Sequence, residues 1–338
     1  MAKLRGMNER IQKLREISVN TPVHIDLERA KIETDFYKEN DGKYSIPVMR
    51  AMTLKEYFSK KTLYLGDGEL IVGEKGKDPQ ASPTFPELCC HSEEDMIVMS
   101  ERELVSFKTT EEDRKLQREE IIPYWTGRSM REKLLSRMTP EWHDCYEAGM
   151  FTEFMEQRGP GHTCGGEQVF TTGYMEYKEK IKKTMDALDY MNDPDAVDKC
   201  EELKAMDIAC DAVIILGERY HSLALEMAEK EEDETRKAEL LQIAANLEVV
   251  PAHRPQTYWQ AIQLYWFTHL AVTTELNPWD AFSPGRLDQH LYPYYERDVE
   301  AGILDDEKTL ELLVCLWEKF YNQPAPGKVG IMLKESAT

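Results

Sequence analysis

The sequence has 338 residues and no apolar run long enough to cross a bilayer. Its longest unbroken one, Leu312 to Trp317, covers six residues, where a spanning helix needs about 20. No charged-then-apolar leader opens the chain, since Met1 to Asn20 is basic and polar; a soluble, cytoplasmic protein is expected. Basic residues are scarce: 42 Lys and Arg stand against 63 Asp and Glu, a formal charge of −21. A surface that negative repels nucleic acid and anionic membrane, so neither is an expected partner. No Cys-x-x-Cys pair occurs among the seven cysteines (89, 90, 145, 164, 200, 210 and 315). Their odd number and irregular spacing exclude a disulfide framework, and a structural zinc site is not expected. Neither a Walker loop nor a dinucleotide fingerprint is present, and there are no internal repeats or low-complexity stretches.

What remains reads as helix with little strand. Thr53 with Glu56, and Thr109 with Glu112, have capping-box spacing. Thr139–Pro140–Glu141 and Asp193–Pro194 have the residues of helix starts. From Asp193 the residues Val197, Cys200, Leu203, Met206, Ala209, Val213, Leu216, Tyr220 and Leu223 recur every three or four positions, which predicts a helix of about 30 residues. The acidic patch Glu229 to Glu234 reads as a solvated helix end and turn. Tyr258 to Val272 is apolar on nearly every side and should be buried all round. Asp305 to Phe320 reads as an acid-capped helix with Leu310, Leu313, Leu316, Trp317 and Phe320 facing inward. Strands are expected at Glu69 to Gly73, Met96 to Met99 and Val329 to Leu333. Cys200, Cys210 and Cys315 fall in helical patterns and read as buried, reduced thiols.

Three groups of residues could carry chemistry. Phe151 to Gly166, FTEFMEQRGPGHTCGG, crowds glycines around His162 and Cys164, so the backbone can turn sharply and approach a ligand. His162 could exchange a proton near neutral pH; a helix C-cap and loop explains the same residues. Cys164 and His162 are too close in sequence for a nucleophile–base pair. Asn277 to Gln289, NPWDAFSPGRLDQ, sets Asp280 between Trp279 and Phe282. A carboxylate there needs a cation, either Arg286 or a substrate ammonium, or it serves as an N-cap. Glu87 to His91, ELCCH, reads as structural, because adjacent cysteines fit one tetrahedral ion poorly.

Several strings together resemble the N-terminal part of a glycyl radical enzyme of the pyruvate formate-lyase-like superfamily. They are IQKLRE, DGELIVGEKG, PTFPELCCH, MTPEWHDCYEAGMFTEFMEQRGPGHT, VVPAHRPQTYWQAIQLYWF, ELNPWDAFSPGRLDQHLYPYYERD and NQPAPGKVGIMLKES. They are most similar to the trans-4-hydroxy-L-proline dehydratase branch, and they run through essentially the whole chain. The resemblance implies a ten-stranded α/β barrel wrapped by helices. Residues 1–338 would supply the mainly helical N-terminal part of that domain and its first strand or strands. It further implies no bound cofactor, a protein glycyl radical installed by a radical S-adenosylmethionine activating enzyme, and a homodimer when full length.

The same resemblance assigns roles. His162 matches a histidine that donates to the departing hydroxyl. Phe154 matches an aromatic packed on the substrate ring, Asp280 the acceptor of the substrate ammonium, and Ser336 a donor to its carboxylate; the substrate would be a small zwitterion. No metal is implied. None of the seven cysteines stands in the context of the family's thiyl cysteine, and the glycyl radical loop has no counterpart. The chain is therefore expected to break off in mid-fold at the strand near its end, and to be inactive alone. Other glycyl radical activities (formate acetyltransferase or diol dehydratase) and a non-catalytic helical scaffold are the rival readings.

Overall fold

A computed structural model describes residues 8–151, 165–275 and 283–327. The chain order is α1 (Glu9–Asn20), β1 (His24–Asp26), α2 (Glu28–Asn40), α3 (Ile46–Lys60), β2 (Ala81–Pro83), α4 (Glu93–Glu101) and α5 (Glu111–Leu116). A π-helical turn over Gln117–Ile121 leads into α6 (Ile122–Trp125), then α7 (Met130–Leu135), α8 (Pro140–Glu147) and α9 (Gln168–Thr171). The long elements follow: α10 (Tyr174–Asp186), α11 (Ala196–Lys230), α12 (Glu234–Leu247), α13 (Tyr258–Glu275), α14 (Leu287–Glu300) and α15 (Asp306–Tyr321).

The helical expectation holds. Thr139 and Pro140 open α8, Asp305 caps α15 through Lys308 N at 2.7 Å, and Glu231 to Asp233 form the exposed break between α11 and α12. The Thr109 capping box forms one residue later, between Thr110 and Asp113. Thr53 caps nothing; it lies inside α3 with its hydroxyl on the Met49 carbonyl at 2.8 Å. The stripe from Asp193 becomes α11, of 35 residues. Its first turns turn a different face inward: α3 covers Ala205, Ile208 and Ala209 there, leaving Val197 and Met206 exposed. Cys210 and Cys315 are buried as expected, whereas Cys200 is half-buried. Trp317 is 53% exposed, because it sits about 100° around α15 from the buried Leu316.

One large core joins α3, α11, α12, α13 and α15 through residues such as Phe58, Leu216, Leu240, Trp266 and Leu316. Here α11 packs along α3, α10 and α12. Contact is close where Gly217 meets Pro251: a Cβ at 217 would lie 2.3 Å from the proline Cδ. As expected, α13 is buried around nearly its whole circumference. A smaller cluster gathers Ile25, Ala30, Met96, Met99, Phe107 and Trp125.

Strand content differs from expectation. Met96 to Met99 belongs to α4, whose start is fixed by a capping box between Ser92 and Asp95. Glu69 to Gly73 is a buried loop with no ladder partner, and Val329 to Leu333 lies outside the described residues. The strands among the described residues are β1 and β2, which pair in parallel with His24 opposite Ala81 and Asp26 opposite Pro83. The described residues are therefore mainly helical, with one two-stranded sheet, and no barrel closes among them.

The Glu69–Gly76 loop is held by side chains. A buried backbone group without a partner costs about as much as a lost hydrogen bond, and here α13 supplies the partners. Trp259 Nε1 donates to Leu70 O at 2.9 Å, and Trp266 Nε1 to Gly73 O at 2.8 Å. Gln263 accepts from Val72 N and donates to Val72 O, both at 2.9 Å. The three side chains share one face of α13 at i, i+4 and i+7. Gly73, at φ +115°, lets the loop close on α13, where a Cβ would fall 2.7 Å from Leu270.

Candidate functional site

His162 and Phe154 lie in 152–164, Asp280 in 276–282 and Ser336 in 328–338, so all four expected site residues fall outside the described residues. The structure describes how the chain approaches and leaves those segments. After the first of them, α9 is fixed by Phe170, whose ring stacks on Tyr265 of α13 at 5.3 Å and on His290 of α14 at 5.1 Å. Tyr294 donates to the Phe170 carbonyl at 2.7 Å. Gly165 and Gly166 both take positive φ, the sharp turning that the glycine-rich string predicts. Ahead of the second segment, α13 ends at Glu275, whose carboxylate accepts from Arg50 Nε at 2.6 Å.

Ahead of the third segment, residues 322–327 leave α15 in a fixed track. Gln80 donates from its backbone N to Asn322 O and from Nε2 to Tyr321 O, both at 3.1 Å. Ser82 Oγ donates to Ala325 O at 3.3 Å. Gln323 bonds to His269 and Thr273 of α13, each at 2.8 Å. Gly327 sits where a Cβ would meet Met99, Phe107 and Ile25. Thus α13 touches the described neighbours of all three segments.

Charged side chains are buried around the same helix. Lys319 Nζ pairs with Glu69 at 2.6 Å and Glu74 at 2.7 Å, all three side chains almost sealed from solvent. Burial pushes the Glu74 carboxyl up to about 7, against the pull of Lys319. Lys61 Nζ donates to three successive carbonyls, Glu74, Lys75 and Gly76, and burial lowers it to about 8. Arg29 pairs with Glu33 at 2.6 Å and Glu87 at 2.9 Å, above the Phe85 ring. These groups fasten loops; the cavity beside Lys319 and Glu69 is only about 10 Å³, space for roughly one water. An open cleft of about 810 Å³ lies between α2, α3, α6 and α7, with Tyr37, Arg50, Glu87, Trp125 and Lys133 on its walls.

The ELCCH string is built into this scaffold through Glu87 and its bond to Arg29. Burial pushes the Cys90 thiol up to about 12, so it is neutral. Gln117 Nε2 donates to His91 O at 2.7 Å. Among the described residues no group of His, Cys, Asp and Glu is arranged to hold a metal ion. Two cysteines stand two positions before a glutamate, Cys145 with Glu147 and Cys200 with Glu202. Both pairs lie on helices with an exposed glutamate, where positions i and i+2 face apart.

Sequence reasoning passed over the buried lysines. Lys319 was detectable, because it continues the inward positions Leu312, Cys315 and Leu316 of α15. A lysine on such a face requires a carboxylate partner. Nothing local marks Lys61, whose partners belong to a loop packed beneath it.

Comparison with known proteins extends this picture. The sequence profile of the pyruvate formate lyase-like family matches residues 7–338. Trans-4-hydroxy-L-proline dehydratase of Clostridioides difficile is 57% identical over 334 residues, covering 99% of this chain and 42% of that protein. A crystal structure of hydroxyproline dehydratase from the same organism, with trans-4-hydroxy-L-proline bound, superposes with TM-score 0.94 at 56% identity, covering 99% of this chain and 42% of that one. A structure addressing 1,2-propanediol dehydration in Roseburia inulinivorans superposes with TM-score 0.89 at 30% identity, over 95% and 40% of the two chains. The chain thus spans about two fifths of the length of these relatives.

Proposed function

The chain belongs to the pyruvate formate lyase-like family, and from that premise we propose that the complete protein is a glycyl radical dehydratase. It removes water from trans-4-hydroxy-L-proline to give a pyrroline-5-carboxylate. Residues 1–338 form the N-terminal part of its catalytic domain, and β1, β2 and the segment after α15 lead into a ten-stranded barrel. The observation that carries this reading is the 57% identity to trans-4-hydroxy-L-proline dehydratase over 99% of the chain.

In this reading a protein radical outside these residues, installed by a radical S-adenosylmethionine enzyme, supplies hydrogen-atom abstraction. The residues of this chain bind and protonate. Asp280 receives the ring ammonium, Ser336 donates to the carboxylate and Phe154 packs on the ring, so that the 4-hydroxyl is held against His162. Donation from His162 assists departure of the hydroxyl as water. The complete protein is a cytoplasmic homodimer; among the described residues no helix is long and apolar enough to cross a membrane.

Isothermal titration of the complete, unactivated protein tests the substrate class. Binding of trans-4-hydroxy-L-proline in clear preference to propane-1,2-diol is expected, since an uncharged diol offers Asp280 no cation. Preference for the diol overturns the proposal.

A further inference from the structure

His24 opens β1 with both ring nitrogens turned to oxygen atoms that only accept. Nδ1 lies 3.1 Å from the Pro22 carbonyl oxygen, and Nε2 lies 2.9 Å from Asp78 Oδ1, the second contact being an ion pair rather than an aligned hydrogen bond. A neutral imidazole carries one N–H and would turn a lone pair on one of these oxygens; only the imidazolium is attracted to both. The Asp78 end makes the same demand. Its Oδ1 is sealed from solvent, and among the described residues its one ionic partner is the His24 ring. A carboxylate oxygen so placed requires a cation. Asp78 accordingly raises the His24 pKa above the ordinary 6.5, against partial burial and the repulsion of Lys77.

The two ends of this pair belong to backbone of different firmness. On the His24 side β1 is fixed independently, since Ile25 N donates to Lys108 O and Lys108 N to Val23 O, both at 2.9 Å. Asp78 stands on the connection into β2, two residues before Gln80. Gln80 O accepts from His24 N at 3.2 Å, while Gln80 donates from its own N to Asn322 O and from Nε2 to Tyr321 O, both at 3.1 Å. It does so at φ +66°, a strained backbone for a non-glycine residue that persists where surrounding contacts over-determine it. The pair therefore ties a rigid strand to the strained residue that holds the end of α15.

The other charged groups around His24 leave Asp78 as its partner. Lys77 repels it from the same connection. Lys108, its bridge partner, sends its ammonium to Ser100 O at 2.8 Å. Asp26, farther along β1, accepts from Glu28 N at 3.0 Å and Lys77 N at 2.8 Å. We propose that His24 and Asp78 form a pH-responsive latch, in which the imidazolium holds the 77–80 connection against β1 and its deprotonation loosens Gln80 and, with it, the end of α15. For a histidine raised on folding, the stabilisation is fully present below the unfolded value and is lost as pH rises through the folded one.

Hydrogen exchange of the complete, unactivated protein, read by mass spectrometry and corrected for the intrinsic rate at each pH, tests the latch. The readout is protection in peptides spanning 77–84 and 320–325, followed from about pH 6 to about pH 9, a range that brackets a raised histidine. Lys61 and Glu74 titrate within that range and hold the residues just before the connection, so the quantity compared is the difference between parent and variant. His24→Gln keeps a donor toward Asp78 that cannot titrate. Asp78→Asn removes the charge that retains the proton and leaves an acceptor that a neutral ring can serve; the proposal stands or falls on it if the first variant does not fold. Across the range, protection in both peptides should fall about threefold more in the parent than in either variant, the scale of a half-exposed ion pair. Parallel pH profiles in parent and variants overturn the latch, and a difference confined to 77–84 overturns its coupling to α15.

Discussion

Gln263 and Val72 exchange two hydrogen bonds, one in each direction and both at 2.9 Å, across 191 residues of sequence. The glutamine side chain does for this loop residue what a neighbouring strand would do in a sheet. Gln263→Leu leaves a buried N–H and a buried carbonyl unpaired, each worth about 1–3 kcal/mol. The complete protein should lose about 2–5 kcal/mol of stability in denaturant titration, and a change below 1 kcal/mol would show that the loop finds other partners.

That pair also explains where the sequence misleads. Leu70, Ile71 and Val72 form the short apolar run of a buried strand, and their local pattern contains nothing against it. The deciding partners, Trp259, Gln263 and Trp266, come from a distant helix whose own pattern shows only that it is buried. Met96 to Met99 fails differently: Ser92 and Asp95 cap a helix just upstream, and Met96 and Met99 then pack inward at i and i+3. The long elements were legible because periodicity and caps agree over many turns, as in α11, α13 and α15. The expected site residues came from the family strings, and His162, Phe154, Asp280 and Ser336 all lie outside the described residues. The structure adds the buried groups that distant packing brings together, such as Lys319 with Glu69 and Glu74.

Lys61 makes stability depend on pH in an unusual direction. Its folded value, about 8, lies below the ordinary 10.5 because burial disfavours the ammonium; Asp26, Glu74 and Glu28 oppose that and Arg219 adds to it. Between those two pH values the unfolded chain binds more protons than the folded one, so this group's contribution rises with pH across that window. The rise is of order 3 kcal/mol. Lys61→Met should abolish it, read as the stability difference between parent and variant from pH 8 to pH 10.5. A flat difference would contradict the assignment.

Lys319 holds two buried carboxylates, and removing only the cation strands both. Lys319→Met should cost about 3–5 kcal/mol near pH 8. The loss should shrink toward pH 5, because Glu74, already pushed up to about 7 by burial, can there take a proton. Adding Glu69→Gln and Glu74→Gln should restore most of the stability; a triple variant no better than the single one would mean that packing of the lysine stem, not charge, is what was lost.

Asp280 and His162 should separate binding from chemistry in the complete protein. Asp280→Asn is expected to weaken trans-4-hydroxy-L-proline binding at least tenfold by titration, an effect in the range of a lost charge-assisted hydrogen bond. His162→Gln should leave that affinity within a few-fold and lower the turnover of activated protein by about 10²–10⁴. The reverse split would exchange their roles.

The substrate assignment is tested most directly by product analysis. Activated complete protein is incubated without oxygen with trans-4-hydroxy-L-proline and propane-1,2-diol in competition, and the products are identified by mass spectrometry. Conversion of the amino acid to a pyrroline-5-carboxylate with loss of one water, and no propionaldehyde, is the predicted result. Propionaldehyde formed while the amino acid is recovered intact would contradict it.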